Sequence, residues 1–124
     1  MTKYVVYTTD EFDKDFGKLD KSVQDQIDNE LEQLETNPYV GKPLGYEFFR
    51  EKKARNFRFY YLVYEEYVIV IVVAISSKKN QQSVINSIKQ NMPSYKELIK
   101  QKFWSWLLFS KALCDLHEHL QDHE

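Results

Sequence analysis

From Phe57 to Ile75 the chain contains neither glycine nor proline and is dominated by Tyr, Phe, Val and Ile. Branched and aromatic side chains suit a pleated, largely buried surface, so this run predicts two or three adjacent strands. A cationic cluster, Arg50, Lys52, Lys53, Arg55 and Arg58, overlaps its start. Asn56 tolerates the left-handed backbone of a tight hairpin, which makes Ala54-Arg55-Asn56 the expected three-residue loop between strands at about 48–53 and 57–65. That loop length fixes the faces. With Lys53 opposite Phe57, the pairs Lys52/Arg58 and Arg50/Tyr60 share a cationic face, while Phe57, Phe59, Tyr61 and Val63 point to an apolar one. A two-residue loop would set Arg50 and Lys52 among the phenylalanines, at a desolvation cost that a half-buried sheet does not offset. Glu65-Glu66-Tyr67 reads as the next turn and Val68 to Ile75 as a central strand covered on both faces. Ser76-Ser77-Lys78-Lys79 then brings two more cations to the sheet edge, near Arg58.

The chain of 124 residues is long enough for one domain with a single core, without metal or disulfide support. Its formal charge of −2 hides a strong asymmetry. Residues 1–40 carry four basic and ten acidic groups, residues 41–90 nine and four, and residues 91–124 four and five. The central segment can therefore present a local basic surface to a phosphate-bearing partner, within a Debye length of ~8–10 Å. A solvated hairpin is the competing reading. The single Cys114 forms no internal disulfide and fits a reducing, cytoplasmic setting. No secretory signal pattern stands at the N-terminus, and no apolar run reaches the ~18 residues of a membrane span.

Residues 3–9 read as a first strand. Thr8 with Glu11 matches a capping box opening a short helix with Phe12, Phe16 and Leu19 inward. Ser22 is the expected cap of a second helix, in which Val23, Ile27, Leu31 and Leu34 make an apolar stripe and the carboxylates face water, until Asn37-Pro38 stops it. The helical hairpin is expected to cover the Phe59/Tyr61/Val63 face. Gly41-Lys-Pro-Leu-Gly45 reads as a connection and lacks a phosphate-loop pattern. A helix from about Gln81 to Asn91 turns Val84, Ile85 and Ile88 inward and ends at Pro93, after which Ser94 and Glu97 form a second capping box. The helix they open is expected to extend to about Leu120.

Within that last helix Phe103-Trp-Ser-Trp-Leu-Leu-Phe109 is apolar on all sides. Such a segment calls for cover, by this domain, a second copy, another protein or a membrane surface. His117, His119 and His123 near Cys114 and Asp115 invite a metal reading. A polar terminal segment is more often solvated, and no metal site is expected there.

The segments FDKDFGKLDKSVQDQIDNELEQLETNP, GKPLGYEFFREKKARNFRFYYLVYEE and VIVIVVAISSKK, in this order, resemble the RelE/ParE toxin superfamily of type II toxin–antitoxin systems, most closely its archaeal RelE-type branch. The resemblance covers about residues 3–92. It implies an α+β fold, with an N-terminal strand and two-helix hairpin packed on a mainly antiparallel sheet, followed by C-terminal helices. Residues 1–92 would then be the toxin domain and residues 93–124 a helical extension.

In RelE members an arginine sits within a YR-(apolar)-(apolar)-Y motif, here Phe57-Arg58-Phe59-Tyr60-Tyr61, so the resemblance assigns that role to Arg58. Its other implied catalytic residues are Lys78, where the family has a second arginine, and Lys52; Arg50, Lys53, Arg55 and Lys79 are the implied RNA-binding residues. A catalytic tyrosine of some members falls near Val84, where no tyrosine stands. The implied chemistry is attack of a 2′-hydroxyl on the adjacent phosphate of mRNA in the ribosomal A site. It needs a base, an acid and cations around the phosphorane, and no cofactor. The implied partner is a RelB-like antitoxin. A homodimer or complex contact through residues 103–109 is a further expectation. Two other activities stay open: a ParE-like toxin acting on DNA gyrase, and an inactive antitoxin-binding member.

Overall fold

The computed structural model describes residues 3–121; of residue 106 and of those beyond 109 it describes the backbone alone. Strand β1 (Val5–Thr8) leads into helices α1 (Asp10–Phe16) and α2 (Lys21–Leu34). Three antiparallel strands follow, β2 (Lys42–Tyr46), β3 (Phe49–Ala54) and β4 (Phe57–Tyr64). A short 3-10 turn at Glu65–Tyr67 feeds β5 (Ile69–Ser77), and helices α3 (Gln81–Gln90) and α4 (Met92–Gln121) complete the chain. The sheet order is β1-β5-β4-β3-β2, with β1 parallel to β5 and every other pair antiparallel. The expected α+β architecture is thus present: a mainly antiparallel sheet with a two-helix hairpin on one face.

The strands at the centre of the sheet are the Gly-free, Pro-free run of the sequence. From Phe59 to Val63 in β4 and from Ile69 to Val73 in β5 every residue is buried. One face of the sheet contributes Ala54, Phe59, Tyr61, Val63, Val70, Val72 and Ile75 to a core completed by Phe12 of α1 and Val23, Ile27 and Leu34 of α2. Each such side chain, once buried, stabilises by roughly 1.5–3 kcal/mol before its ordering entropy is subtracted. The opposite face carries Arg58, Tyr60, Leu62 and Tyr64 of β4, with Phe49, Glu51 and Lys53 of β3. Here α3 packs on β5, and its buried Ile85 and Ile88 are the residues its helical spacing turns inward.

The β3–β4 hairpin differs from expectation in one residue, and the consequence is large. Ala54 pairs with Phe57, so the loop is Arg55-Asn56, two residues long, and Arg55 rather than Asn56 takes a positive φ, of 55°. Lys53 therefore faces Arg58 and Glu51 faces Tyr60, whereas Arg50 and Lys52 lie opposite Tyr61 and Phe59 on the helix-covered face. A one-residue slip exchanges the faces of a whole strand. The desolvation penalty that argued against this register is met by partners. The Arg50 guanidinium, 6% exposed, donates to the carbonyls of Glu47, Tyr39 and Gly41 and to the Glu47 carboxylate, and it stacks 5.1 Å from the Tyr39 ring centre. Lys52 pairs with Glu30 of α2 at 3.1 Å.

Smaller differences have local causes. Thr9, not Thr8, caps α1 by accepting from the Phe12 N–H, because Thr8 instead donates to the Asp13 carboxylate at 2.6 Å. Asp20 occupies the N-cap position of α2, leaving Ser22 in its first turn. The 41–45 connection is largely an edge strand, β2, where Pro43 is tolerated because an edge leaves one row of backbone donors unused. Pro93 sits in the first turn of α4, where its missing N–H costs nothing, so α4 opens at Met92, ahead of the expected Ser94 cap. Between Tyr60/Ala74 and Tyr61/Val72 the register of β5 slips by the extra residue Val73, a bulge that bends the strand before it delivers Ser76. The chain divides after Gln90 into two compact units, the second being the continuous helix from Met92. In it Trp104, Leu108 and Phe109 are exposed. The Cys114, Asp115, His117, His119 and His123 grouping lies outside the residues whose side chains are described.

Candidate functional site

The polar residues of the sheet's second face gather at the end of the β3–β4 hairpin. Lys53 and Arg58 are cross-strand partners, and Arg58 is in turn paired with Ser76 of β5. Two like charges placed directly opposite repel each other, an arrangement that stability alone does not favour. The next row is Glu51, Tyr60 and Ala74. Arg58 Nε stands 3.9 Å from Glu51 Oε1, with the two side chains only 12% and 10% exposed. That separation is a charge contact rather than a hydrogen bond. The guanidinium fork thus keeps donors for an anion, while the carboxylate is held from its other oxygen by Gln81 Nε2 at 2.7 Å.

The floor of the site is Tyr60, whose phenol shares a 2.7 Å hydrogen bond with Ser76 Oγ. Burial pushes this phenol above the usual tyrosine range. The Ser76 hydrogen bond pulls it down, the Glu51 charge and hydrogen bond raise it, and the Arg58 charge lowers it. It stays protonated at neutral pH. Its side chain is fully buried, so its place is beneath the polar cluster, beside Glu51 and Ser76.

At the rim, the Ser77 N–H and Oγ both donate to Asn80 Oδ1, at 2.9 and 2.8 Å, which folds residues 77–80 into the turn that starts α3. This turn carries the exposed Lys78 and Lys79 directly after the strand that bears Ser76. It also sets Gln81 against Glu51. Around one carboxylate, the hairpin end and this turn thus supply Lys53, Arg58, Lys78 and Lys79, which can draw in a polyanion and hold it at the guanidinium.

The residues singled out in the sequence separate into two groups. Arg58 and Lys53 lie on the polar face, with Lys78 and Lys79 in the turn that follows β5. Lys52 and Arg50 do not: both are on the opposite face, one in an ion pair with Glu30 and the other in a cage of backbone carbonyls. Arg55, at the hairpin tip, donates to Gln26 Oε1 and Ser22 Oγ of α2 at 3.1 Å each, and so braces the hairpin against the helix. Sequence reasoning missed Glu51, Tyr60, Ser76 and Gln81. The signal available was Ala54, a small apolar residue that suits the core face and, counted as part of the strand, shortens the loop. Among the described residues, no group of three or more His, Cys, Asp or Glu is placed to hold a metal ion.

A family model described as the ParE toxin of type II toxin–antitoxin systems, parDE, matches residues 6–82. The chain belongs to this toxin family. The matched span of this ParE-family toxin runs from β1 to the start of α3 and includes every residue of the polar cluster. No curated protein sequence matches the chain. Its fold is similar to that of a free Escherichia coli RelE toxin carrying two arginine-to-alanine substitutions, with TM-score 0.62 and 22% identity over 71% of this chain and 97% of that one. It is similar also to the toxin of the intact E. coli RelBE complex, with TM-score 0.55 and 24% identity over 60% and 95% of the two chains. The archaeal RelE–RelB complex from Pyrococcus horikoshii gives TM-score 0.53 and 20% identity over 63% and 97%. At these identities the structural likeness speaks for the fold. Among the described residues no helix is long and apolar enough to cross a membrane.

Proposed function

We propose that this toxin is an endoribonuclease that cleaves mRNA, with the ribosomal A site as the place of attack and a RelB-like antitoxin as its inhibitor. The observation that carries this reading is the Arg58–Glu51 pair at 3.9 Å, a cation for the phosphate beside a carboxylate for the proton. In the proposed reaction Glu51 accepts the proton of an RNA 2′-hydroxyl, and that oxygen attacks the adjacent phosphorus. The bond to the 5′-oxygen breaks, and the products are a 2′,3′-cyclic phosphate and a 5′-hydroxyl that takes its proton from solvent or a lysine ammonium. Arg58 donates to the non-bridging oxygens, whose charge grows in the phosphorane, and this is where preorganised donors contribute most. Lys53, Lys78 and Lys79 hold the flanking phosphates. Lys52, Arg50 and Arg55 act in the fold. The antitoxin reading draws support from the RelBE complexes among the similar structures, and an acidic antitoxin segment laid on Lys53 and Arg58 would block phosphate access. A cytoplasmic site of action follows from an mRNA target.

The test is to induce the chain alone and map mRNA ends in a translating extract. Cuts within codons, lost in a folded Arg58→Ala variant, are the expected result. Growth arrest with intact mRNA and inhibited DNA supercoiling would overturn the ribonuclease reading in favour of a gyrase-directed toxin, the second reading that the ParE family match favours. Absence of toxicity would instead point to an inactive antitoxin-binding protein.

A further inference from the structure

We propose that the β2 edge and the last turn of α3 form a second phosphate-binding subsite, in which Lys42 and Lys89 hold the backbone of the RNA strand where it passes the Arg58–Glu51 pair. The proposal deepens the ribonuclease reading and rests on it for the identity of the strand. Its place follows from register. Lys42 of β2 is the cross-strand partner of Glu51, so its side chain stands on the polar face, in one row with Glu51 and Tyr60. A lysine opposite a carboxylate ordinarily closes an ion pair. Here both oxygens of Glu51 are engaged, Oε1 facing Arg58 at 3.9 Å and Oε2 accepting from Gln81 at 2.7 Å. Lys42 is exposed, and among the described residues no carboxylate lies within ion-pair distance of its ammonium. Helix α3 supplies the second cation. It begins at Gln81, beside Glu51, and in its last turn carries Lys89, whose ammonium comes to 3.8 Å from where a side-chain carbon on Gly45 of β2 would lie. Lys42 and Gly45 are at most about 10 Å apart along the strand at ~3.3 Å per residue. That distance is comparable with a Debye length of ~8–10 Å, so the fields of the two lysines add.

The chemistry between the two lysines selects the occupant. No acidic residue occurs between Glu66 and Glu97, so the exposed residues of α3, Gln82, Ser83, Asn86 and Gln90 among them, add hydrogen-bonding groups and no negative charge. Lysine, amide and hydroxyl side chains are the ones that contact nucleic-acid backbone, where position is set by phosphate and sugar. A protein partner would need apolar anchors at the centre of its contact, and interfaces of that kind are depleted in Lys and Ser. The exposed side of α3 carries no large apolar side chain. Protection of a sheet edge is the plainest reason for a lysine on β2. Pro43 and the irregular pairing between Pro43 and Tyr46 already blunt this edge, and edge protection gives no role to Lys89, which stands on a helix.

The test uses the full chain in an Arg58→Ala background, so that it can be expressed without its inhibitor. The probe is a short single-stranded 2′-O-methyl RNA, which has no free 2′-hydroxyl to attack, and its affinity is followed against salt concentration. Each phosphate contact on a single strand contributes about −0.7 to the slope of log affinity against log salt. Lys42→Gln with Lys89→Gln is expected to make that slope shallower by about 1.4 and to weaken binding roughly tenfold at low salt, with the thermal transition retained because both side chains are exposed. Lys42→Arg with Lys89→Arg should keep the parent slope. Lys14→Gln with Lys18→Gln, the same change of charge on and just after α1, should keep it too; an equal loss there would mean that net charge alone is read, and would overturn the subsite. A parent slope in the Lys42 and Lys89 variant would overturn it as well. So would a loss confined to cosedimentation with ribosomes, which would assign the lysines to ribosomal RNA, or a loss confined to polyglutamate binding, which would assign them to an acidic protein. Cleavage by the chain with Arg58 intact is scored separately in the translating extract. Cleavage with an unchanged slope removes the subsite alone, whereas a lysine-dependent slope without cleavage removes the ribonuclease reading and leaves the subsite as an RNA-binding surface.

Discussion

Lys52 Nζ lies 3.1 Å from the Glu30 carboxylate of α2, on the face of the sheet opposite to Arg58, and the two side chains are only 22% and 20% exposed. Removing one member of so enclosed a pair leaves the other charge largely buried. Lys52→Met is therefore expected to destabilise by about 2–3 kcal/mol, less than the loss for a fully buried pair. The double variant with Glu30→Leu should recover most of it. Urea unfolding measures both. RNA cleavage at a temperature where the single variant is folded should equal that of the parent, and a selective loss of cleavage would return Lys52 to the site.

The left-handed Val68, at φ 55° and ψ 43°, ends the 3-10 turn and starts β5. A β-branched residue is strained there by roughly 1–2 kcal/mol, a cost that Asn bears more easily. Its N–H and carbonyl, bonded to Glu65 and Val5, stay in place whatever the side chain. Because Val68 is half-buried, the lost packing offsets part of the gain. Val68→Asn is expected to raise stability by about 0.5–1 kcal/mol, seen as a higher urea midpoint at unchanged slope. A lower midpoint would mean that the valine's contacts outweigh its strain.

How much of this molecule is legible in its sequence depends on which level is read. The order of elements follows from hydrophobic period and length, so the strands of Phe57–Ile75, the paired helices and the inward Ile85 and Ile88 are recovered. Arg58 falls on the polar face in either register, since alternation within β4 fixes its side whatever the pairing. The companions of Arg58 depend on register, and register hung on whether Ala54 belonged to the loop. Counting desolvation for Arg50 and Lys52 without their acceptors made the wrong loop look cheaper. Those acceptors, the carbonyls of Tyr39 and Gly41 and the carboxylate of Glu30, come from 9 to 22 residues away, beyond any local pattern.

Three tyrosines set an alkaline limit. Burial raises the Tyr39, Tyr60 and Tyr61 phenols; Tyr39 also donates to Glu65, and the Tyr61 oxygen accepts the Gly41 N–H at 2.9 Å, which partly counters its shift. A phenol with its pKa raised by folding ionises first in the unfolded chain. Stability is then fully present below the unfolded value of about 10 and falls as pH rises from there through the folded values. Unfolding monitored from pH 8 to 12 should show this decline beginning near pH 10, shallower in Tyr39→Phe. A flat profile over that window would contradict the burial assigned to these rings.

Glu51 can act on Arg58 in two ways, and one substitution separates them. If the carboxylate takes the 2′-hydroxyl proton, Glu51→Gln removes the base, and kcat should fall by roughly 10²-fold or more. Binding of a non-cleavable RNA should tighten at the same time, because the charge competing with phosphate for Arg58 is gone. If Glu51 only restrains Arg58, the same variant should bind more tightly and also cleave faster. The amide still offers an oxygen to Gln81 Nε2, now 2.7 Å from Glu51 Oε2, so the turn carrying Lys78 and Lys79 is expected to hold its position. Tyr60→Phe is the control from below: it deletes the 2.7 Å bond to Ser76 and the phenol's hydrogen bond to Glu51 while leaving both charges in place. A positioning role for Tyr60 predicts a lower kcat and unchanged RNA affinity. Faster cleavage by Glu51→Gln would make the pair a lock on the site and would remove Glu51 as the base.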